Sequence, residues 1–317
     1  MKTAIVSTFV NADNVIDSFI KYHSYIGYDY FIFFIDDNSP TIINHLESNY
    51  KDKVFIIKKD EEHKRLAKKT SVYKEYNQFS HNEVMARQII NVEIALNICL
   101  ENNINWITHI DIDELFFLTK KKSIKELFLD FESLGYDNSF HYNYEALAQR
   151  FDIKDYFIEV NLFKKNPRLF TMKDINILGL QEANTFYLGY QNGKASTKVT
   201  PETKIESVHR FIGKKMVIDY ENIILHYICC GYDNFVNKYK VRGDFPDKWF
   251  NKRDIKPNIP FHINSRDTIK TDDTEAIKKL YRENVIKYDE QQVNFLLNCE
   301  LLKIIDKPKQ IIMNLRT

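Results

Sequence analysis

The sequence predicts an α/β protein: a mixed, mostly parallel sheet flanked by helices, with a small helical region at the C-terminus. Three observations predict it. Up to Ile112, short apolar runs rich in β-branched residues alternate with segments of helical period, the order that produces buried parallel strands. Two of those runs stop abruptly at clusters of carboxylates. The chain has 317 residues, 44% hydrophobic and 14% aromatic, enough to fill one large core or two smaller ones.

Residues 3–10 and Tyr30–Ile35 read as buried strands. Between them Val15, Ile16, Phe19, Ile20 and Tyr22 recur at helical spacing. Residues 54–57 supply a third strand. Residues 83–101 form a long helix on the spacing of Val84, Ile89, Val92, Ile94 and Ile98, and residues 106–112 follow as another buried strand. Downstream, residues 123–131 read as helix, 157–163 and 205–211 as strands, 222–228 as an apolar strand carrying His226, and 232–241 as helix. Pro246, Pro257 and Pro260 mark residues 244–267 as an irregular connection before helices over 273–288 and 290–305. The expected organisation is a main domain over residues 1–245 and a C-terminal helical cap over 246–317.

Composition excludes several classes. The 45 Lys+Arg balance 44 Asp+Glu, so no overall field gathers nucleic acid. With 23 Phe and 19 Tyr the chain is no disordered polymer. Only 8 Gly are present, and neither a P-loop nor a dinucleotide fingerprint occurs. Cys99, Cys229, Cys230 and Cys299 lack metal or disulfide spacing. The N-terminus is too short and polar for a signal peptide, and no run approaches the roughly 18 apolar residues of a membrane span. The expected setting is cytoplasmic, without a transmembrane segment.

The sharpest motif is the apolar strand that delivers Asp111, Asp113 and Glu114 at its end. In an extended segment residues two apart share a side, so Asp111 and Asp113 converge on one ligand. A hard divalent ion, Mn²⁺ or Mg²⁺, relieves their repulsion and offers open positions to phosphate oxygens. The alternative is an acidic turn. The second cluster, Asp36, Asp37, Asn38, Ser39 and Pro40, consists of turn formers, yet acids at a strand end also bind base or ribose. His226 ends an apolar strand either as a satisfied core histidine or as a third metal ligand, with His209 competing for the latter role.

These residues resemble GT-A-type glycosyltransferases, particularly glycosyltransferase families 2 and 92. The likeness rests on residues 11–39, on 106–116, on Gly193, Lys194, Ser196 and Lys198 with Val208 and His209, and on residues 225–227 running to Phe235, Lys238, Tyr239, Arg242 and Gly243. It implies a GT-A-like fold and a nucleoside-diphosphate sugar as donor. Asp36 or Asp37 would contact the nucleoside, Arg87 the nucleotide or phosphate, Asp111 and Asp113 the ribose and metal, and His226 would complete the metal shell. Lys194, Lys198, Lys238 and Arg242 would neutralise the departing diphosphate. The sequence departs from the family at Tyr227, Ile228, Cys229 and Cys230, where relatives carry a Lys-Ser pair.

Transfer with inversion, the expected outcome, needs a base for the acceptor proton. Glu145, Asp174 and Glu182 are the candidates between the acidic motif and His226, with Glu182 leading because it follows an apolar run. The acceptor is a glycan, lipid or protein. The rivals are a nucleotidyltransferase on a similar sheet, which would want a Gly-rich basic loop that residues 8–14 lack, and a non-catalytic nucleotide-sugar-binding module.

Overall fold

Every residue of β1 (Thr3–Phe9) is buried, which only a strand paired on both edges and covered on both faces permits. The computed structural model describes residues 1–251 and 259–316. In it β1, β2 (Tyr30–Ile35), β3 (Val54–Lys58) and β4 (Trp106–His109) form a parallel set ordered β4-β1-β2-β3. Alternation along β2 explains its two covers. Phe31 and Phe33 point to the core shared with Ile16 and Phe19 of the helix Ile16–Tyr25. Ile32 and Phe34 point to the core shared with Ile89 and Ile90 of the helix Val84–Glu101.

The sheet continues beyond β4 through β5 (Glu114–Phe117), β6 (Asn138–Ala146), β7 (Leu162–Lys164) and β8 (Lys194–Lys198), with β8 antiparallel to β4 and β6. β9 (Lys204–Ser207) and β10 (Arg210–Ile212) make a separate hairpin. β11 (Met216–His226) pairs in parallel with β6 and antiparallel with β5, and β12 (Leu302–Ile304) closes the edge against β7. The mixed α/β class read from the sequence is the one observed. The stretch after residue 245 supplies helices and also β12, and Ile277, Tyr281 and Ile312 join the same apolar cluster as Phe19 and Phe33.

Several boundaries differ from the sequence reading. Residues 157–163, expected as strand, open with the helical turn Tyr156–Glu159, because the Asp155 carboxylate accepts the Phe157 amide at 3.1 Å and caps it. Residues 205–211 split into β9 and β10. Residues 290–305 divide into the helix Glu290–Asn298 and β12. The expected irregular connection over 244–267 contains the start of the helix Pro260–Lys270, where proline occupies the first turn; its residues 252–258 lie outside the described residues. The strand over 106–112 stops at His109.

Gly193, one residue before β8 and at φ +61°, sets the entry of Lys194 into the sheet. A Cβ there would meet the His141 carbonyl oxygen at 2.1 Å. Gly193→Ala is therefore expected to cost about 1–3 kcal/mol of stability, read as a lower urea midpoint. An unchanged midpoint would contradict this placement of β8.

Candidate active site

β4 ends against β1 with His109 opposite Val6, and the chain then reverses: the Glu114 amide donates to the Asp111 carbonyl at 3.0 Å. Asp111 and Asp113 thus stand on a tight turn and not on an extended strand as the spacing suggested. Both still face one cleft of about 840 Å³ that opens at the carboxyl ends of β1 and β4. His226 reaches it because β11 sets His226 opposite Glu114 of β5 and beside Glu145 of β6. The Tyr227 amide then donates to the Asp113 carbonyl at 2.8 Å, locking the acidic turn to the end of β11.

Two lysines neutralise the two aspartates. Lys194 Nζ lies 2.7 Å from Asp111 Oδ2 and 3.4 Å from a Glu114 oxygen, and Lys238 Nζ lies 2.7 Å from Asp113 Oδ2. Gln88, from the helix Val84–Glu101, donates to the other Asp111 oxygen at 2.6 Å. Burial would raise the Asp111 carboxyl, but Lys194 outweighs it and holds the group far below the usual carboxylate range. Asp113 is likewise lowered, with burial opposed by Lys238 and His226. Glu114, at the base of the turn, is pushed well above its ordinary value by burial. Burial also brings His226 down to about 4, so its ring is neutral near pH 7.

The donor chemistry at Asp113 and His226 fits a divalent cation. His226 Nε2 and Asp113 Oδ2 face each other at 3.8 Å, beyond hydrogen-bond reach. One carboxylate and one neutral imidazole suit Mn²⁺. The third expected ligand is different: both Asp111 oxygens are occupied, by Lys194 and Gln88. Among the described residues no group of three His, Cys, Asp or Glu forms a ready cage. The residues that could hold a cation are therefore Asp113 and His226, and Lys238 already lies on the Asp113 oxygen that faces His226.

The other expected residues divide. Asp36 and Arg87 line the cleft, but they bind each other, Arg87 Nε to Asp36 Oδ2 at 2.5 Å. Lys238 and Arg242 line it from the helix Tyr232–Arg242, beside Lys194. Asp37 acts as a turn former: its carboxylate accepts the Ser39 amide at 3.2 Å, outside the cleft lining. Lys198, half-exposed, pairs with Glu132 at 3.3 Å, also outside it.

None of the three expected bases lines the cleft. Glu145 is buried, pairs with Lys164, and accepts the Leu188 and Gly189 amides at 2.9 and 2.7 Å. Asp174 closes a capping box with Thr171 and pairs with Lys165 at 2.9 Å. Glu182 holds Lys287 at 2.8 Å and the Tyr288 hydroxyl.

Sequence reasoning missed Gln88 and Tyr190. Gln88 and Asn91 are polar residues on the apolar side of a long helix, at i and i+3, a signal that was legible. Tyr190 stacks on the His226 ring at 4.8 Å. His262, at 2.5 Å from the Tyr239 hydroxyl, reaches the cleft from the C-terminal region.

Two outcomes are expected of this electrostatics. Lys194→Met strands a buried carboxylate and should cost about 3–5 kcal/mol in denaturant melts, with Asp111→Asn in the same chain restoring part of it. His23, His109 and His209 are each brought down to about 3 chiefly by burial. Below their ordinary value of 6.5 the unfolded chain binds the protons that the folded chain refuses. Stability measured at stepped pH should therefore fall from about pH 6.5 towards 3, and a flat profile there would contradict the neutral rings.

No protein-family model matches the chain. It is 26% identical over 315 residues to an Arabidopsis thaliana protein named glycosyltransferase-like, covering 94% of this chain and 68% of that protein. A second glycosyltransferase-like protein of Arabidopsis thaliana is 28% identical over 313 residues, covering 94% of this chain and 60% of its own length. The chain thus spans only about 60–68% of the length of the curated relatives it matches. Among solved structures, mouse xyloside xylosyltransferase 1 aligns over 44% of this chain and 53% of that one, at 14% identity and a TM-score of 0.26. Over nearly all its length, the chain is a sequence relative of proteins named glycosyltransferase-like.

Proposed function

We propose that the protein transfers a sugar from a nucleoside-diphosphate sugar to a glycan, lipid or protein acceptor, with a divalent cation held by Asp113 and His226. The observation that supports this most is the pairing of those two residues in a cleft whose wall also carries Lys194, Lys238 and Arg242. Breaking the bond to a diphosphate leaves negative charge on the departing oxygen, and fixed cations aimed at that charge lower the barrier. When bound, the metal ion would add Lewis-acid stabilisation of the same oxygens. Asp111, held by Lys194 and Gln88, would accept the ribose hydroxyls in this reading. Asp36, held by Arg87, forms the nucleoside side of the cleft.

An inverting transfer needs a proton acceptor beside the acceptor hydroxyl. Of the cleft carboxylates among the described residues, Asp36, Asp111 and Asp113 are ion-paired, and Asp13, exposed on the loop after β1, is the group we assign in place of Glu145, Asp174 and Glu182.

The reading is tested by incubating the protein and a panel of nucleotide sugars with Mn²⁺ and measuring free nucleoside diphosphate. Release that drops about 100-fold or more in Asp113→Asn is the expected result. Release indifferent to that substitution would overturn the site. Donor binding without release in any condition would identify a binding module, and pyrophosphate formed from a nucleoside triphosphate and a sugar phosphate would identify a nucleotidyltransferase.

A further inference from the structure

The two lysines at the acidic turn are not equivalent. Lys194 emerges from a buried strand, its side chain 1% exposed, and is held by Asp111, by Glu114 and by the Tyr190 ring at 5.5 Å. It is part of the framework. Lys238 stands on the helix Tyr232–Arg242 at the cleft wall, its side chain 20% exposed, and among the described residues its ion pair is with Asp113. Its flexible four-carbon stem can place the ammonium elsewhere in the cleft. One turn further along the same helix Arg242 also lines the cleft, so a Lys238 side chain released from Asp113 joins a second cation on that wall.

The pair matters because it sits on the same oxygen, Asp113 Oδ2, that faces His226 across 3.8 Å. We propose that Lys238 is the resident counter-ion of the cation site: it holds Asp113 while the cleft is empty of donor and moves onto the diphosphate when donor and cation arrive together. This rests on the reading of Asp113 and His226 as cation ligands. The charge balance favours that order. A lone dication approaching Asp113 meets an ammonium already within hydrogen-bond distance of its ligand, whereas a dication accompanied by a diphosphate supplies the anion that draws the ammonium away. Lys238 would therefore act as a positioning residue that makes cation binding dependent on the diphosphate.

The test is a titration of the whole chain with Mn²⁺ alone, following free Mn²⁺ by electron paramagnetic resonance, and again in the presence of UDP and of GDP. Lys238→Met should bind Mn²⁺ alone about tenfold more tightly than the native protein, and should gain less from added diphosphate. Lys238→Arg, which keeps the charge, should stay near the native affinity and shows that the helix tolerates change at this position. Asp113→Asn should lose the site. If Lys238→Met binds Mn²⁺ no more tightly while Asp113→Asn still abolishes binding, the counter-ion role is wrong and the cation site stands. If binding is indifferent to Asp113→Asn, both fall together.

Discussion

The interaction on which the rest depends is the ion pair between Asp111 and Lys194 at the carboxyl end of the sheet. A lysine with 1% side-chain exposure is tolerable in a protein interior only when its charge is matched and its donors are engaged. Here the match comes from a turn that β4 delivers and a strand, β8, that runs antiparallel to β4 with Ser196 opposite Thr108. Two residues before Ser196, at the start of β8, Lys194 comes level with the turn. The acidic turn and the cationic strand thus fix each other, and the cleft inherits two carboxylates at set positions. Glu114, which accepts the Asp111 amide at 2.7 Å, ties the same turn to β5 and so to His226.

The sheet explains why these groups meet at all. A parallel set places the carboxyl ends of β1, β2 and β4 on one side, and the loops that follow them collect there. The helix Val84–Glu101 then lies across the sheet with most of one face apolar, but three of its polar residues turn inward at the end of the strands: Arg87 to Asp36, Gln88 to Asp111, and Asn91 to the Thr8 hydroxyl at 3.0 Å. A helix that serves as core cover along its length therefore becomes a polar wall where the cleft begins.

Much of this was legible in the sequence, for physical reasons that also explain what was not. β2 and the helix Val84–Glu101 were read almost to the residue, β2 because a short unbroken apolar run ends sharply at turn formers and the helix because its apolar spacing extends over 18 residues. Asp111, Asp113 and His226 were legible as cleft residues because a polar group at the end of an apolar run has few structural uses, whereas Lys194 and Lys238 end no such run and entered only through the resemblance to GT-A-type glycosyltransferases. Glu145, Asp174 and Glu182 were misplaced for the opposite reason: their partners, Lys164, Lys165 and Lys287, are ordinary surface residue types in the sequence, and only the fold reveals that each consumes a carboxylate. Lys198 follows the same logic. It shares a strand with Lys194, but four residues along β8 it has moved to the far end of the sheet, opposite Trp106.

The C-terminal region also has a part in the site that composition could not suggest. Directly after His226 the backbone passes through Cys229 at φ +56° and Gly231 at φ +91°. A non-glycine residue in that region is strained and persists only where surrounding contacts over-determine it. Those contacts come from the helix Thr274–Asn284: the Tyr281 hydroxyl donates to the Cys229 carbonyl at 3.3 Å and accepts the Gly231 amide at 3.0 Å, and its ring is fully buried against Phe151, Tyr232 and Phe235. The loop so held leads straight into the helix that carries Lys238 and Arg242. The placement of two cleft cations thus depends on a tyrosine some 40 residues downstream in the chain, in the same C-terminal stretch that adds β12 to the sheet.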